Sequence, residues 1–264
     1  MNASTTSSPA SVNVDRRSSG VRNRRGALTT MVMVAGLGAA TVLAGCSSQD
    51  PAPAIPAVQE APVTIGVDFN IPEQEVLAEM YSQTFPTKER ESSVVGLVDS
   101  DLRVQAVVDG EVTMSLGCTG ELLGILNPTI AKELAAEYEA DPSPDKATSG
   151  EWKDRVYQAF STSLPGDLMA TDASSITGCN WLGDTEKERA QSMNPGAVLP
   201  QYIVPFYRTP ALVREERVDV LNRVSGTVSA REYASMVKKV RKGEDPADNA
   251  SEWLTNRGFV QEED

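Results

Sequence analysis

The sequence predicts an α/β fold with a largely parallel sheet. Two observations carry the prediction. From Val63 to about residue 126, short stretches with an apolar residue at every second position alternate with longer stretches of helical period. That alternation of strand and helix is the signature of parallel α/β layers. The chain also has 264 residues, 40% hydrophobic and 23% charged, which is enough for one large domain or two small ones.

The elements follow in order. "VTIGVDF" alternates Val63, Ile65, Val67 and Phe69 and reads as a strand. In "NIPEQEVLAEMYSQTF", Val76, Leu77, Met80, Tyr81 and Phe85 share one helical face. Asn70 with Glu73 suggests a capping box there, and Pro72 suits the first turn. "SVVGLV" is a second strand, "SDLRVQAVVDG" a helix stopped by Gly110, and "EVTMSL" a third strand. "TGELLG" then opens another helix. In the middle, "NPTIAKELAAEYEAD" and "EWKDRVYQAFSTSL" are helices, the latter with Trp152, Val156 and Phe160 four apart, and "GDLMATDASSI" is a short strand and turn. "TGCNWLGDTEKERAQSMNPG" has no clear period. "AVLPQYIVPFYR" is extended, and its prolines suit an edge or crossing strand. The end is helical. "REERVDVLNRVSG" spaces Val218, Leu221 and Val224, a capping box joins Ser229 to Glu232 with Gly243 as the stop, and Asp245, Pro246 and Gly258 bracket the last helix.

The first 45 residues differ from the rest. Arg16, Arg17, Arg22, Arg24 and Arg25 precede an uncharged stretch, residues 26–45, which runs into Cys46 as "LAGC". This is the layout of a secretory signal, and "LAGC" resembles the bacterial lipobox, which implies acylation of Cys46 and a protein held at the extracytoplasmic face of the cell membrane. A membrane-spanning anchor is the alternative reading of the same stretch. Residues 46–62, rich in Pro and Ala, read as a semi-extended tether.

The net charge is −13. The signal holds five of the 24 basic and one of the 37 acidic residues, which leaves 19 against 36 and a net of −17. Nucleic acid is excluded as a partner, because phosphate binding needs clustered Lys and Arg. A cationic ligand is favoured at long range, although most of this charge is simply solvated surface. With no histidine, histidine-based triads and metal sites are excluded. No metal, no cofactor and no catalytic constellation is expected, so the chain is not read as an enzyme. If Cys46 is acylated, Cys118 and Cys179 remain. In an exported chain such a pair usually forms a disulfide, and two buried free thiols are the alternative.

Several motifs, in order along the chain, resemble those of solute-binding proteins of glycine betaine, choline and carnitine importers. "IGVDFNIPEQEVLAEMY" is similar to the family's first strand, turn and helix, with Glu73, Gln74, Leu77, Ala78, Glu79 and Tyr81 matching. "SLGCTGELL" keeps the Thr119-Gly120 of a strand-to-helix turn, "MATDASSI" keeps Thr171 and Asp172, and "LPQYIVPFYR" keeps Pro200, Tyr202, Pro205 and Arg208. The closing helices also resemble the family's. The resemblance implies a periplasmic-binding-protein type II fold, two α/β lobes around a cleft. The ligand carboxylate would meet a helix N-terminus and aromatic rings would hold the quaternary ammonium.

On that basis lobe 1 spans about 63–126 plus 198–264, and lobe 2, about 127–197, is reduced, since only 52 residues separate Thr119 from Thr171. Phe69, Asn70, Thr119, Gly120, Thr171, Asp172 and Tyr202 would line the cleft, with Thr119 capping its helix. Cys118 and Met169 stand where the family places tyrosines, so the aromatic cage is depleted. The implied function is a lipid-anchored solute-binding protein for a small cationic or zwitterionic solute such as a quaternary amine, working with an ABC permease. The alternative is a cell-envelope lipoprotein that kept the fold, lost ligand binding and acts as an accessory protein.

Overall fold

The computed structural model describes residues 57–97, 100–173, 175–176, 179 and 193–260. The signal, Cys46 and most of the tether lie outside these residues.

One five-stranded sheet organises the described chain. Its strands are β1 (Val63–Val67), β2 (Ser92–Gly96), β3 (Met114–Cys118), β4 (Leu168–Ala170) and β5 (Ile203–Arg208), in the order β2-β1-β3-β5-β4. β1 is parallel to β2 and β3, while β5 runs antiparallel to both β3 and β4. The parallel part therefore covers the first three strands, as the alternating pattern predicts, and β5 makes the sheet mixed. β5 is not the edge or crossing strand its prolines suggest. It lies inside the sheet, with Pro205 opposite Leu116. Sheet geometry explains the tolerance. The Pro205 carbonyl accepts from Thr171 N–H at 3.1 Å, just past the end of β4, so its missing N–H deprives only the Thr171 carbonyl. The Tyr157 hydroxyl donates to that carbonyl instead, at 2.6 Å.

Helices cover both faces. On one, Val63, Ile65 and Val67 of β1 and Met114, Leu116 and Cys118 of β3 point into a core shared with α2 (Pro72–Thr84) and the C-terminal helices. The alternation of side chains along a strand selects these residues. On the other face, Val204 and Phe206 of β5 meet α3 (Ser100–Asp109), α4 (Thr119–Leu126), α5 (Pro128–Ala140) and α6 (Gly150–Ser163). Trp152, Val156 and Phe160 form the buried stripe of α6, as their spacing predicts. Within the segment 127–197, read from the sequence as a reduced second lobe, α5 and α6 lie on one face of this sheet and β4 forms its edge. Among the described residues there is no second sheet.

Local signals fix most helix ends. Gly110, Gly243 and Gly258 have φ of 77, 95 and 68°, the left-handed region that glycine enters without strain. The Ser229–Glu232 capping box opens α9 (Ala230–Val240), and the Asp245 side chain accepts from the N–H groups of Ala247 and Asp248 at the head of α10 (Pro246–Asn256).

Three further local expectations fail. The cap of α2 is Ile71, which makes no side-chain hydrogen bond, because Asn70 turns back to Asp68. Residues 57–60 form a one-turn helix, α1 (Ala57–Glu60), rather than free tether, because the Arg90 guanidinium donates to the carbonyls of Val58 and Ala61. The helical run 214–227 comprises α7 (Arg214–Glu216), a π-helical stretch Arg217–Asn222 and α8 (Arg223–Thr227). The wider π turn rotates the apolar face, so Val220, Leu221 and Val224 are buried and Val218 is exposed.

Candidate functional site

Sheet register places the ligand-binding candidates at one edge. β1 is in step with β3 through Ile65 opposite Met114, β3 ends with Cys118 opposite Ile203, and β4 ends with Ala170 opposite Phe206. Phe69 and Asn70 after β1, Thr119 and Gly120 after β3, Thr171 and Asp172 after β4, and Tyr202 before β5 therefore share the edge formed by the carboxyl ends of the parallel strands. Open α/β sheets bind ligands at this edge. From β1 to β4 the row crosses three strand spacings, about 14 Å.

The first turn is held from below. The Gln74 side-chain oxygen accepts the Asp68 N–H at 3.0 Å. Asp68 Oδ1 in turn accepts from both the backbone N–H and the side-chain amide of Asn70, each at 2.9 Å. Asn70 is thereby committed to its own turn. Phe69 is 53% exposed, and its ring lies against Gly96, where an added methyl would sit 2.9 Å from the ring carbons. Tyr81, matched in the same motif, is fully buried. It donates to Ser225 Oγ at 2.7 Å, since that hydroxyl's own proton goes to the Leu221 carbonyl.

At the second turn, Cys118 is bonded to Cys179, with the Cα atoms 5.9 Å apart. The expected disulfide is present. It fastens the segment after β4 to the end of β3, where Ile203 N–H also donates to the Ile176 carbonyl. Thr119 does not cap α4. It is the first helical residue, fully buried, and its Oγ1 accepts the Tyr202 N–H at 3.1 Å while its own N–H donates to the Tyr202 carbonyl at 2.9 Å. The cap comes from Gln201, 81 residues away in sequence from Gly120. Its side-chain oxygen accepts the N–H groups of Gly120 and Glu121 at 2.8 and 3.0 Å.

The neighbouring segment Pro195–Val198 packs onto α4 so closely that a methyl on Gly120 would meet the Gly196 carbonyl oxygen at 2.3 Å. A methyl on Gly124 would meet Asn194 Oδ1 at 1.7 Å. Asn194 also donates to the Glu121 carbonyl at 2.8 Å.

At the third turn, Thr171 is buried, and its hydroxyl has no hydrogen-bond partner among the described residues. Asp172 is exposed and accepts from the Asn222 amide at 2.9 Å. Asn222 ends the π turn, so the altered helical period brings the two together. Tyr202 is half-buried and donates to Asp154 Oδ1 at 3.0 Å. Burial, and then the Asp154 carboxylate, push its phenol up to about 12. Lys153 Nζ stands 6.0 Å from the ring centroid. Met169 is 42% exposed, with its sulfur 3.6 Å from an Arg217 nitrogen.

Sequence reasoning missed Gln201, Asp154 and Asn222. Gln201 adjoins Tyr202, but nothing in "LPQYIV" signals a partner so far back in the chain.

No family model and no curated protein matches the chain. Solved structures do. Unliganded YehZ of Escherichia coli aligns with a TM-score of 0.50 and 11% identity, over 76% of this chain and 100% of that one. A structure described as a glycine betaine/carnitine/choline ABC transporter aligns with a TM-score of 0.51 and 11% identity, over 75% and 99%. The fold is a shortened type II periplasmic-binding-protein fold. The described residues hold one sheet, and the seven candidate positions lie along its carboxyl edge.

Proposed function

We propose that the protein is a solute-binding protein of an ABC importer, lipid-anchored through Cys46 on the extracytoplasmic face, for a small cationic or zwitterionic solute such as a quaternary amine. It binds and delivers the solute to a permease and performs no chemistry on it. The supporting observation is the convergence of Phe69, Thr119, Thr171, Asp172 and Tyr202 on one carboxyl edge, in a fold of this class. The net acidic charge favours a cation. Phe69 and Tyr202 supply aromatic surface, and Asp172 and Asp154 supply negative charge.

A thermal-shift panel of glycine betaine, choline, carnitine, proline betaine and polyamines tests the reading. A ligand at 100 times its dissociation constant adds about 2.7 kcal/mol. No shift with any of them would sink the solute-binding reading. Acylation is checked by the mass of the N-terminal peptide and by loss of detergent partitioning in Cys46→Ala.

One observation favours the second reading, an accessory envelope lipoprotein without a ligand. Thr119, Gly120, Asn70, Asp172 and Tyr202 all spend their polar groups on neighbours within the chain. A flat ligand panel on protein with a cooperative unfolding transition supports that reading.

A further inference from the structure

We infer that Gln201 closes the head of α4 to carboxylates, and so sets the solute class as a cation without a carboxylate, of the choline type; the second half of this rests on the solute-binding reading above.

The first turn of a helix presents N–H groups with no intrahelical partner, and these are the natural receptors of a carboxylate. In α4, two of them, on Gly120 and Glu121, converge on the single side-chain oxygen of Gln201. A third first-turn N–H, that of Thr119, donates to the Tyr202 carbonyl, and the Thr119 hydroxyl is taken by the Tyr202 N–H. Space beside Gly120 is narrowed as well, while the Gly120 and Glu121 N–H groups themselves are covered by Gln201. At Gly120 the Gly196 carbonyl oxygen and Gln201 Oε1 stand 2.3 and 2.7 Å from where a methyl would be. The carbonyl adds negative partial charge that repels an incoming anion. Gln201 is fixed by adjoining Tyr202, whose backbone is tied to Thr119 on both sides, so its oxygen is supplied without the entropy loss of a free ligand.

The rest of the edge suits a cation. Asp68, Asp154 and Asp172 place carboxylates there, with Lys153 near the Tyr202 ring and Arg217 near Met169. A betaine would have to find another donor set for its carboxylate. Choline needs none.

The closure is tested on the full-length protein labelled with 15N-glycine, by following the Gly120 amide resonance. Sodium acetate is the probe, with sodium chloride at equal ionic strength as the control. We expect no acetate-specific shift in the wild type, a saturable shift in Gln201→Ala, and none in Gln201→Glu, which restores an oxygen at the same place. An acetate shift in the wild type, or none in Gln201→Ala, overturns the closure. The solute class is tested by calorimetry with choline and glycine betaine. The wild type is expected to prefer choline by about tenfold, ~1.4 kcal/mol, and Gln201→Ala to lose that preference by gaining betaine affinity. Equal affinity in the wild type overturns the choline assignment. If neither solute binds either protein, the solute-binding reading fails together with the solute class, while the acetate result still decides the closure.

Discussion

At the scale of single residues, Arg90 is the most heavily committed side chain described. Its guanidinium is buried and donates to both oxygens of buried Glu216 at 2.9 Å, and to the carbonyls of Ala211, Ala61 and Val58. It thereby fixes the point where the folded domain begins to the start of α7. Removing one partner of a buried pair leaves an uncompensated charge. Arg90→Met is expected to lose about 3–5 kcal/mol in denaturant unfolding. Adding Glu216→Leu should regain only part of that, because three carbonyls stay without their donor. Tyr202 gives a second prediction. The fold favours its neutral phenol, so this contribution to stability is complete below the ordinary tyrosine value and is lost as pH rises through about 12. In 13C-tyrosine spectra Tyr202 should titrate near 12, and in Asp154→Asn it should fall only part of the way back, because burial, the larger cause, remains. No downward move in Asp154→Asn would contradict the Tyr202–Asp154 hydrogen bond.

At the scale of elements, α4 is shaped by what lies across it. Gly120 and Gly124, one turn apart, form a bare stripe against which Asn194 and Gly196 sit. Gly124→Ala is expected to cost about 1–3 kcal/mol by overpacking. Gly226, in α8, has nothing within 4 Å of an added methyl, and Gly226→Ala should stabilise by up to about 1 kcal/mol. Paired melts of the two variants decide whether close approach, and not glycine in a helix as such, explains the stripe. Gly120, in the turn that resembles a ligand-binding one, is therefore also required by the close approach of Gly196. The π turn acts at the same scale. By changing the helical period it hides Val220 and carries Asn222 to Asp172.

At the scale of the molecule, the Cys118–Cys179 bond closes a loop of sequence separation 61 across β3, α4, α5, α6 and β4. The chain-entropy model values such a loop at about 4 kcal/mol. Replacing both cysteines with Ala should lower unfolding stability by about that amount, and peptide mapping without reductant should recover the two cysteines in one fragment. The bond matters more in a shortened fold than in one with two full lobes. Here the segment after β4 has one described sheet to pack on, and the disulfide fastens it there alongside the Ile203–Ile176 hydrogen bond.

The sequence by itself determined most of the elements. Strand alternation, the α6 stripe, the glycine stops, the Ser229–Glu232 box and the cysteine pair were all legible, because each is a local pattern or follows from composition. It also named the edge residues, because the motifs that carry them sit at strand ends. Tertiary structure alone decided what those residues do. Gln201 reaches Gly120 over 81 positions, Asn222 reaches Asp172 over 50, and Asp154 reaches Tyr202 over 48. No local period encodes such contacts. They arise only when β5 inserts between β3 and β4 and brings the end of one strand to the head of another's helix, and it is there that the hydrogen-bonding capacity of the edge is taken up.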